Sequence, residues 1–141
     1  MRILLLLLAL LSGCATAQPQ GLRPFSSDGC SLFPDRGLGK GDWCGCCLAH
    51  DLAYWRGGTE AQRLQADKDL RECVAARTGD RTLAENMYSG VRAAGGPNLA
   101  TSFRWGYGWP AGRGYEPLTA EELARAEQLA KQARPQACGV P

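Results

Sequence analysis

The chain has 141 residues and a formal net charge of +2, with 16 basic and 14 acidic side chains interspersed along it. That balance excludes the dense basic patch that is typical of nucleic-acid-binding proteins. Hydrophobic residues make up 45% of the chain, which is enough for one modest globular core.

The first 17 residues predict an export signal. Arg2 precedes an almost unbroken leucine run, and small residues follow it. The run is shorter than the ~20 residues that span a bilayer, as in a cleaved signal peptide. Residues 11–14, Leu-Ser-Gly-Cys, resemble the bacterial lipobox, which implies lipidation at Cys14. The alternative is an A-x-A cleavage site at residues 15–17, which would release an unanchored protein.

The cysteine count agrees with export. Processing would cap or remove Cys14 and leave an even number, namely Cys30, Cys44, Cys46, Cys47, Cys73 and Cys138. Six cysteines allow many pairings, and spacing alone does not choose among them. Disulfides persist in oxidising compartments. We therefore expect three disulfides in a protein of the bacterial envelope or the secreted fraction.

Two helices are predicted in the first half of the mature chain. Residues 18–25 are polar and predict a tether, and residues 26–41 are rich in turn formers and predict a loop. Asp42 is suited to cap a helix from about Trp43 to Arg56, which Gly57 and Gly58 would end. Thr59 opens a capping box for a second helix that extends to about Arg77. The short glycine link predicts that the two helices are antiparallel neighbours.

Two further helices follow, separated by a loop. One is predicted from Thr82 to about Ala94, the other from a capping box at Thr119 to about Arg134. We assign residues 26–98 to the helical core and residues 99–141 to a Gly/aromatic-rich loop and a helix that pack on it. The aromatic side chains of that loop are predicted to cover the helical core. The alternative is a membrane-interface patch, since Trp and Tyr favour such boundaries.

The only histidine, His50, is predicted to lie beside a buried carboxylate. Asp67 lies in an apolar stripe of the second helix, where an unpaired carboxylate would be costly. If Cys46 were bridged to Cys73, the antiparallel pair would bring Asp67 within one turn of His50, ~3 Å along the axis. A carboxylate on one ring nitrogen leaves the other free as a base.

Asp51 is turned ~100° around the helix from His50 and would face a different neighbour. If Cys30 were bridged to Cys47, that neighbour would be the loop around Cys30. Loop carbonyls with one carboxylate suit calcium, and calcium beside a histidine-held water suits ester hydrolysis. The rival interpretation is a zinc site formed by His50 and the nearby cysteines, which export disfavours.

These residues resemble a known family. Residues 46–54, Cys-Cys-Leu-Ala-His-Asp-Leu-Ala-Tyr, resemble the active-site helix of the secreted phospholipase A2 family, C-C-x-x-H-D-x-C-Y. Asp67, six residues before Cys73, is similar to the aspartate of the family's second helix. Residues 28–30, Asp-Gly-Cys, resemble the start of its calcium loop. The resemblance covers residues 28–73.

The resemblance implies a role for each matching residue. His50 would be the general base, Asp67 its orienting partner and Tyr54 a hydrogen-bond partner of Asp67. Asp51 would bind Ca²⁺ through its carboxylate. Backbone carbonyls would complete the calcium shell, at Gly29, Ser31 and Phe33. The implied disulfides are Cys30–Cys47 and Cys46–Cys73, which leaves Cys44–Cys138.

Three features depart from the family pattern. The family's loop has glycines after its cysteine (C-x-G-x-G or C-G-x-G), whereas Ser31-Leu32-Phe33-Pro34 follows Cys30 here. Ala53 replaces the family's usual helix cysteine, which removes one bridge. Residues from about Thr82 onward match no part of the pattern.

The sequence thus predicts a mainly α-helical chain: two antiparallel, disulfide-linked helices with a calcium-type loop, plus C-terminal helices. The resemblance implies a monomeric, calcium-dependent hydrolase that meets a phospholipid or membrane surface and cleaves the sn-2 ester of a glycerophospholipid. The alternative is a non-catalytic envelope lipoprotein, with a binding or structural role, that retains the helix pair. In that case His50 and Asp67 would be a buried structural pair.

Overall fold

A computed structural model describes residues 21–37, 41–133 and 138. The described chain is mainly helical, as predicted, with four helices and one pair of very short strands. The elements are β1 (Arg36–Gly37), β2 (Gly41–Asp42), α1 (Cys44–Arg56), α2 (Glu60–Thr78), α3 (Arg81–Ala94) and α4 (Ala120–Gln132).

The strand pair lies where only loop was predicted. β1 and β2 are antiparallel, with Arg36 opposite Asp42 and Gly37 opposite Gly41. Two residues per strand are too few for the alternating pattern by which a strand is recognised from sequence.

Helices α1 and α2 are antiparallel neighbours, so residues at the start of one helix contact residues at the end of the other. The Cys46–Cys73 disulfide joins the start of α1 to the end of α2. At the other end, Arg63 donates to the Tyr54 hydroxyl. The predicted Cys30–Cys47 and Cys44–Cys138 disulfides are also formed. Because these cysteines are oxidised, they have no thiolates to offer zinc, and the rival metal site is excluded.

Most helix ends follow the predicted chemistry. The capping boxes form at Thr59 with Gln62 and at Thr119 with Glu122. The third helix begins one residue earlier than predicted, because Asp80 accepts the Leu83 N–H as its N-cap. The fourth helix ends at Gln132. Its predicted end near residue 134 lies outside the described residues.

The start of α1 differs in detail from the prediction. Trp43, not Asp42, is the N-cap residue, and its side chain makes no capping hydrogen bond. The Asp42 carboxylate accepts the Cys44 N–H at 2.9 Å. The Cys44 N–H is one of the first N–H groups of the helix, which have no partner within it. It is bonded by the residue before the N-cap.

The Gly/aromatic-rich loop covers the end of α1. The Gly106 N–H donates to the Tyr54 carbonyl and the Gly108 N–H to the Trp55 carbonyl. The Trp109 indole donates to the Arg56 carbonyl. These bonds satisfy the last carbonyls of the helix, which have no partner within it. The loop therefore holds the segment that carries His50.

The N-terminal part of the described chain is packed, although a tether was predicted. Leu22 is buried in a cluster with Trp55, Trp109 and Leu129 of α4. Residues 21–25 therefore belong to the folded domain, because Leu22 supplies an apolar side chain that this cluster buries. The rest of the predicted tether and the export signal, including Cys14, lie outside the described residues. No helix in the described part of the chain is long and apolar enough to span a bilayer.

Candidate functional site

His50 and Asp67 face each other across the α1–α2 interface. His50 Nε2 lies 2.8 Å from Asp67 Oδ1. The Tyr54 hydroxyl, one turn further along α1, donates to the same carboxylate oxygen at 2.8 Å. The three residues predicted as catalytic are thus brought together. An ionised Asp67 can only accept, so Nε2 carries the ring proton and Nδ1 keeps a free lone pair.

Asp67 is fully buried and stays ionised. Burial opposes its charge, but hydrogen bonds from His50, Arg92 and Tyr54 outweigh that effect and hold its pKa below the ordinary value. Arg92 binds the second oxygen, Oδ2, at 2.7 Å. Arg63 Nε lies 3.9 Å from the same oxygen. The carboxylate therefore has the partners that a buried charge requires.

Two arginines of this network were not predicted from the sequence. Arg63 is buried and donates to the Tyr54 and Tyr115 hydroxyls. It also donates to the carbonyls of Val91 and Arg92 at the end of α3. Arg63 stands four residues before Asp67, and that spacing was the one available signal. Arg92 is 25 residues away and left no such signal.

Asp51 points to the loop that carries Cys30, as predicted. The Ser27 hydroxyl donates to Asp51 Oδ2 at 2.5 Å. Burial raises the Asp51 pKa from 3.8 to about 7; the bond from Ser27 lowers it, and the charges of Asp28 and Asp35 raise it further. No ion pair to Asp51 forms within the described part of the chain. Among the residues that the structure describes, Asp51 is therefore a buried carboxylate without a counter-charge.

The loop around Cys30 is shaped by its own side chains. Asp35 Oδ1 accepts the Cys30 N–H at 2.8 Å, and Asp28 accepts the Ser31 hydroxyl at 2.9 Å. The two aspartates thus hold the loop through hydrogen bonds within the segment that is rich in turn formers. Ser31 has a φ of +54°, in the left-handed region, at the position of the first glycine of the C-G-x-G pattern. The backbone thus adopts a glycine-like conformation without the glycine.

The donors around Asp51 fit a hard cation. Gly29, Ser31 and Phe33, the predicted carbonyl donors, line the same cavity as Asp51. No group of three or more His, Cys, Asp or Glu suited to a metal occurs among the described residues. The Asp51 carboxylate and the backbone carbonyls of these three loop residues offer oxygen ligands, the kind that Ca²⁺ prefers. Sequence reasoning missed Ser27 as a partner of Asp51, because the only signal for it was its position in a segment rich in turn formers.

An apolar cavity of about 320 Å³ opens beside this pair of sites. His50 and Asp51 line it together with Leu70, Met87 and Phe33. The exposed Leu32, with 87% of its surface accessible, lies at the same cavity. A hydrocarbon chain could therefore lie next to His50 and the Asp51 carboxylate.

Comparison of the chain with protein-family profiles, with curated proteins and with solved structures finds no match.

Proposed function

We propose that this protein is a calcium-dependent hydrolase of lipid esters, of the phospholipase A2 type. The observation that carries the proposal is the orientation of His50. Its Nε2 is bound to the buried, ionised Asp67, and His50 and Asp51 line one apolar cavity. A general base, a cation ligand and a hydrocarbon site thus meet in one place.

Each residue of the site has a separate role in the hydrolysis. Nδ1 of His50 takes a proton from water as the water oxygen attacks the ester carbonyl. The imidazolium then gives that proton to the leaving alcohol oxygen as the ester C–O bond breaks. Asp67 fixes the ring tautomer and stabilises the imidazolium that forms, and Tyr54 and Arg92 hold Asp67 in place. Asp51 would hold the calcium ion, which would supply positive charge next to the ester carbonyl. Gly29, Ser31 and Phe33 would offer backbone oxygens to the same ion.

The substrate that fits this arrangement is a glycerophospholipid, cleaved at its sn-2 ester. The cavity takes the acyl chain, and the exposed Leu32 beside it can meet a lipid surface. The three disulfides place the folded chain in an oxidising compartment. In our proposal that compartment is the bacterial envelope, with a lipid anchor at Cys14, or the medium after secretion.

Fatty-acid release from phospholipid vesicles tests the proposal. The oxidised mature protein is assayed with calcium, with a chelator, and as the Asp51→Asn variant. Release that needs both calcium and Asp51 is the expected result. Release that ignores the chelator would retain an esterase but remove the cation role of Asp51. No release, from a folded protein with three disulfides, would favour the non-catalytic envelope lipoprotein.

Calcium affinity is expected to rise about tenfold between pH 6 and pH 8. Calcium needs the ionised carboxylate, and the Asp51 pKa of about 7 means that protons compete in this range. Without calcium, the raised pKa contributes stability that is complete below the ordinary value of 3.8 and lost as pH rises through about 7. The shift in melting temperature at fixed calcium should therefore grow with pH.

Asp51→Asn is the matched control for the calcium measurement, because it keeps the shape of the side chain and removes its charge. The variant should show no calcium-induced shift at either pH. A calcium-induced shift of equal size at pH 6 and pH 8 in the unaltered protein would show that Asp51 is not the titrating ligand.

A further inference from the structure

Arg63 is buried one turn before Asp67 on α2, but it does not bond to that carboxylate. Its Nε lies 3.9 Å from Asp67 Oδ2, which is too long for a hydrogen bond. The guanidinium donates instead to neutral oxygens, namely the hydroxyls of Tyr54 and Tyr115 and the carbonyls of Val91 and Arg92. The donors of Arg63 thus bind the neighbours of Asp67 rather than Asp67 itself.

Two of those neighbours hold the two oxygens of the Asp67 carboxylate. The Tyr54 hydroxyl donates to Oδ1 at 2.8 Å, the oxygen that His50 Nε2 also contacts. The Arg92 guanidinium donates to Oδ2 at 2.7 Å. Arg63 in turn bonds to the Tyr54 hydroxyl oxygen at 3.0 Å and to the Arg92 carbonyl oxygen at 2.9 Å. Arg63 therefore connects both of the partners that fix the plane of the carboxylate.

The bond from Arg63 also decides how the Tyr54 hydroxyl is used. An arginine N–H can only donate, and an ionised carboxylate can only accept. The hydroxyl oxygen therefore accepts from Arg63, and its single hydrogen goes to Asp67 Oδ1. The competing acceptor, the Val91 carbonyl, lies 3.4 Å from the hydroxyl and already accepts from Arg63 at 3.0 Å. A donor on the hydroxyl oxygen polarises the O–H group and strengthens its bond to Asp67.

We propose that Arg63 is a positioning residue of the site, which fixes the Asp67 carboxylate in the orientation that His50 needs. It acts through Tyr54 on one carboxylate oxygen and through Arg92 on the other. Without the guanidinium, the Tyr54 hydroxyl and the end of α3 would be released, and the carboxylate would turn away from Nε2. The role in catalysis rests on the proposed function, whereas the effect on the His50–Asp67 pair does not.

Kinetics on phospholipid vesicles at saturating calcium test the role in catalysis. Arg63→Met should lower kcat about 10–100-fold, in the range that misplacement of a reacting group costs. KM should stay within about twofold, because no contact to the substrate is removed. Arg63→Lys should give an intermediate kcat, since an ammonium still donates to the Tyr54 hydroxyl but lacks the planar fork of donors. The rise in melting temperature with calcium should be unchanged in both variants.

Arg71→Gln is the matched control on the same helix. Arg71 pairs with Glu72 and Glu85, away from Asp67, so this variant should leave kcat unchanged.

The ring N–H signal of His50 in the proton NMR spectrum tests the same role without hydrolysis. The chain has one histidine, so the signal of the Nε2–H that bonds to Asp67 has one possible source. Arg63→Met should move this signal upfield, because the hydrogen bond to the carboxylate becomes weaker. Arg63→Lys should move it less, and Arg71→Gln should leave it in place.

The two measurements separate the inference from the proposed function. An unchanged kcat together with an unchanged N–H signal, in folded Arg63→Met protein, would overturn the inference and leave Arg63 a structural role alone. If Arg63→Met does not fold, Arg63→Lys decides by the same two measurements. A signal that moves in the Arg63 variants of a protein without lipid hydrolysis would support the inference and refute only the proposed function.

Discussion

His50→Gln is expected to lower calcium-dependent fatty-acid release by about 10²–10⁴-fold, the usual contribution of a general base. The glutamine amide can still donate a hydrogen bond to Asp67 Oδ1, so the buried carboxylate keeps a partner at the position of Nε2. The variant lacks the second ring nitrogen, which takes the proton from water in our proposal. Release is measured on phospholipid vesicles at saturating calcium.

Calcium binding provides the internal control for His50→Gln. Asp51 and the loop around Cys30 are unchanged in this variant, so calcium should raise the melting temperature as in the unaltered protein. Loss of both calcium binding and activity would mean that the substitution disturbs the site as a whole. Activity within tenfold of the unaltered protein would remove His50 from the chemistry and leave the buried structural pair as the better interpretation.

Asp67→Asn is expected to lower the free energy of unfolding by about 3–5 kcal/mol, because it leaves buried positive charge without its counter-ion. Arg92 loses its contact to Oδ2, and the buried Arg63 loses the nearby negative charge. The measurement is urea unfolding of the oxidised protein at pH 7. Activity should fall as well, since His50 loses the acceptor that sets its tautomer.

Asp69→Asn is the matched control on the same helix. Asp69 is exposed and bonds only to Gln65 among the described residues, so its loss should change stability by about 0.5 kcal/mol or less.

The Asp67 pKa is lowered, so its contribution to stability is present above the ordinary value of 3.8 and is lost as pH falls through the folded-state value. The difference in free energy of unfolding between the unaltered protein and Asp67→Asn should therefore become smaller below about pH 4. A difference in free energy of unfolding that stays constant at strongly acidic pH would contradict the ion-pair explanation.

Local chemistry made much of the fold predictable. The capping boxes at Thr59 and Thr119 begin two of the helices through bonds within a few residues. The His50–Asp67 pair was predictable because helical periodicity put Asp67 in an apolar stripe, where a carboxylate needs a partner. The strand pair and the packing of Leu22 were missed, because neither leaves a periodic pattern in so few residues.

The sequence by itself determined which side chains could do chemistry here. They are a single histidine, the aspartate that follows it, a second aspartate in an apolar stripe of the next helix, and cysteines able to join the two helices. Only the tertiary structure decided what surrounds them. It brought Arg92 from α3 onto Asp67 and Ser27 onto Asp51, and it packed the Phe33 ring against Gly90 of α3. These contacts join residues far apart in the chain, and such contacts depend on how whole helices pack. Spacing along a helix reports the near neighbours of a residue, whereas its environment is set by elements that fold onto it from elsewhere.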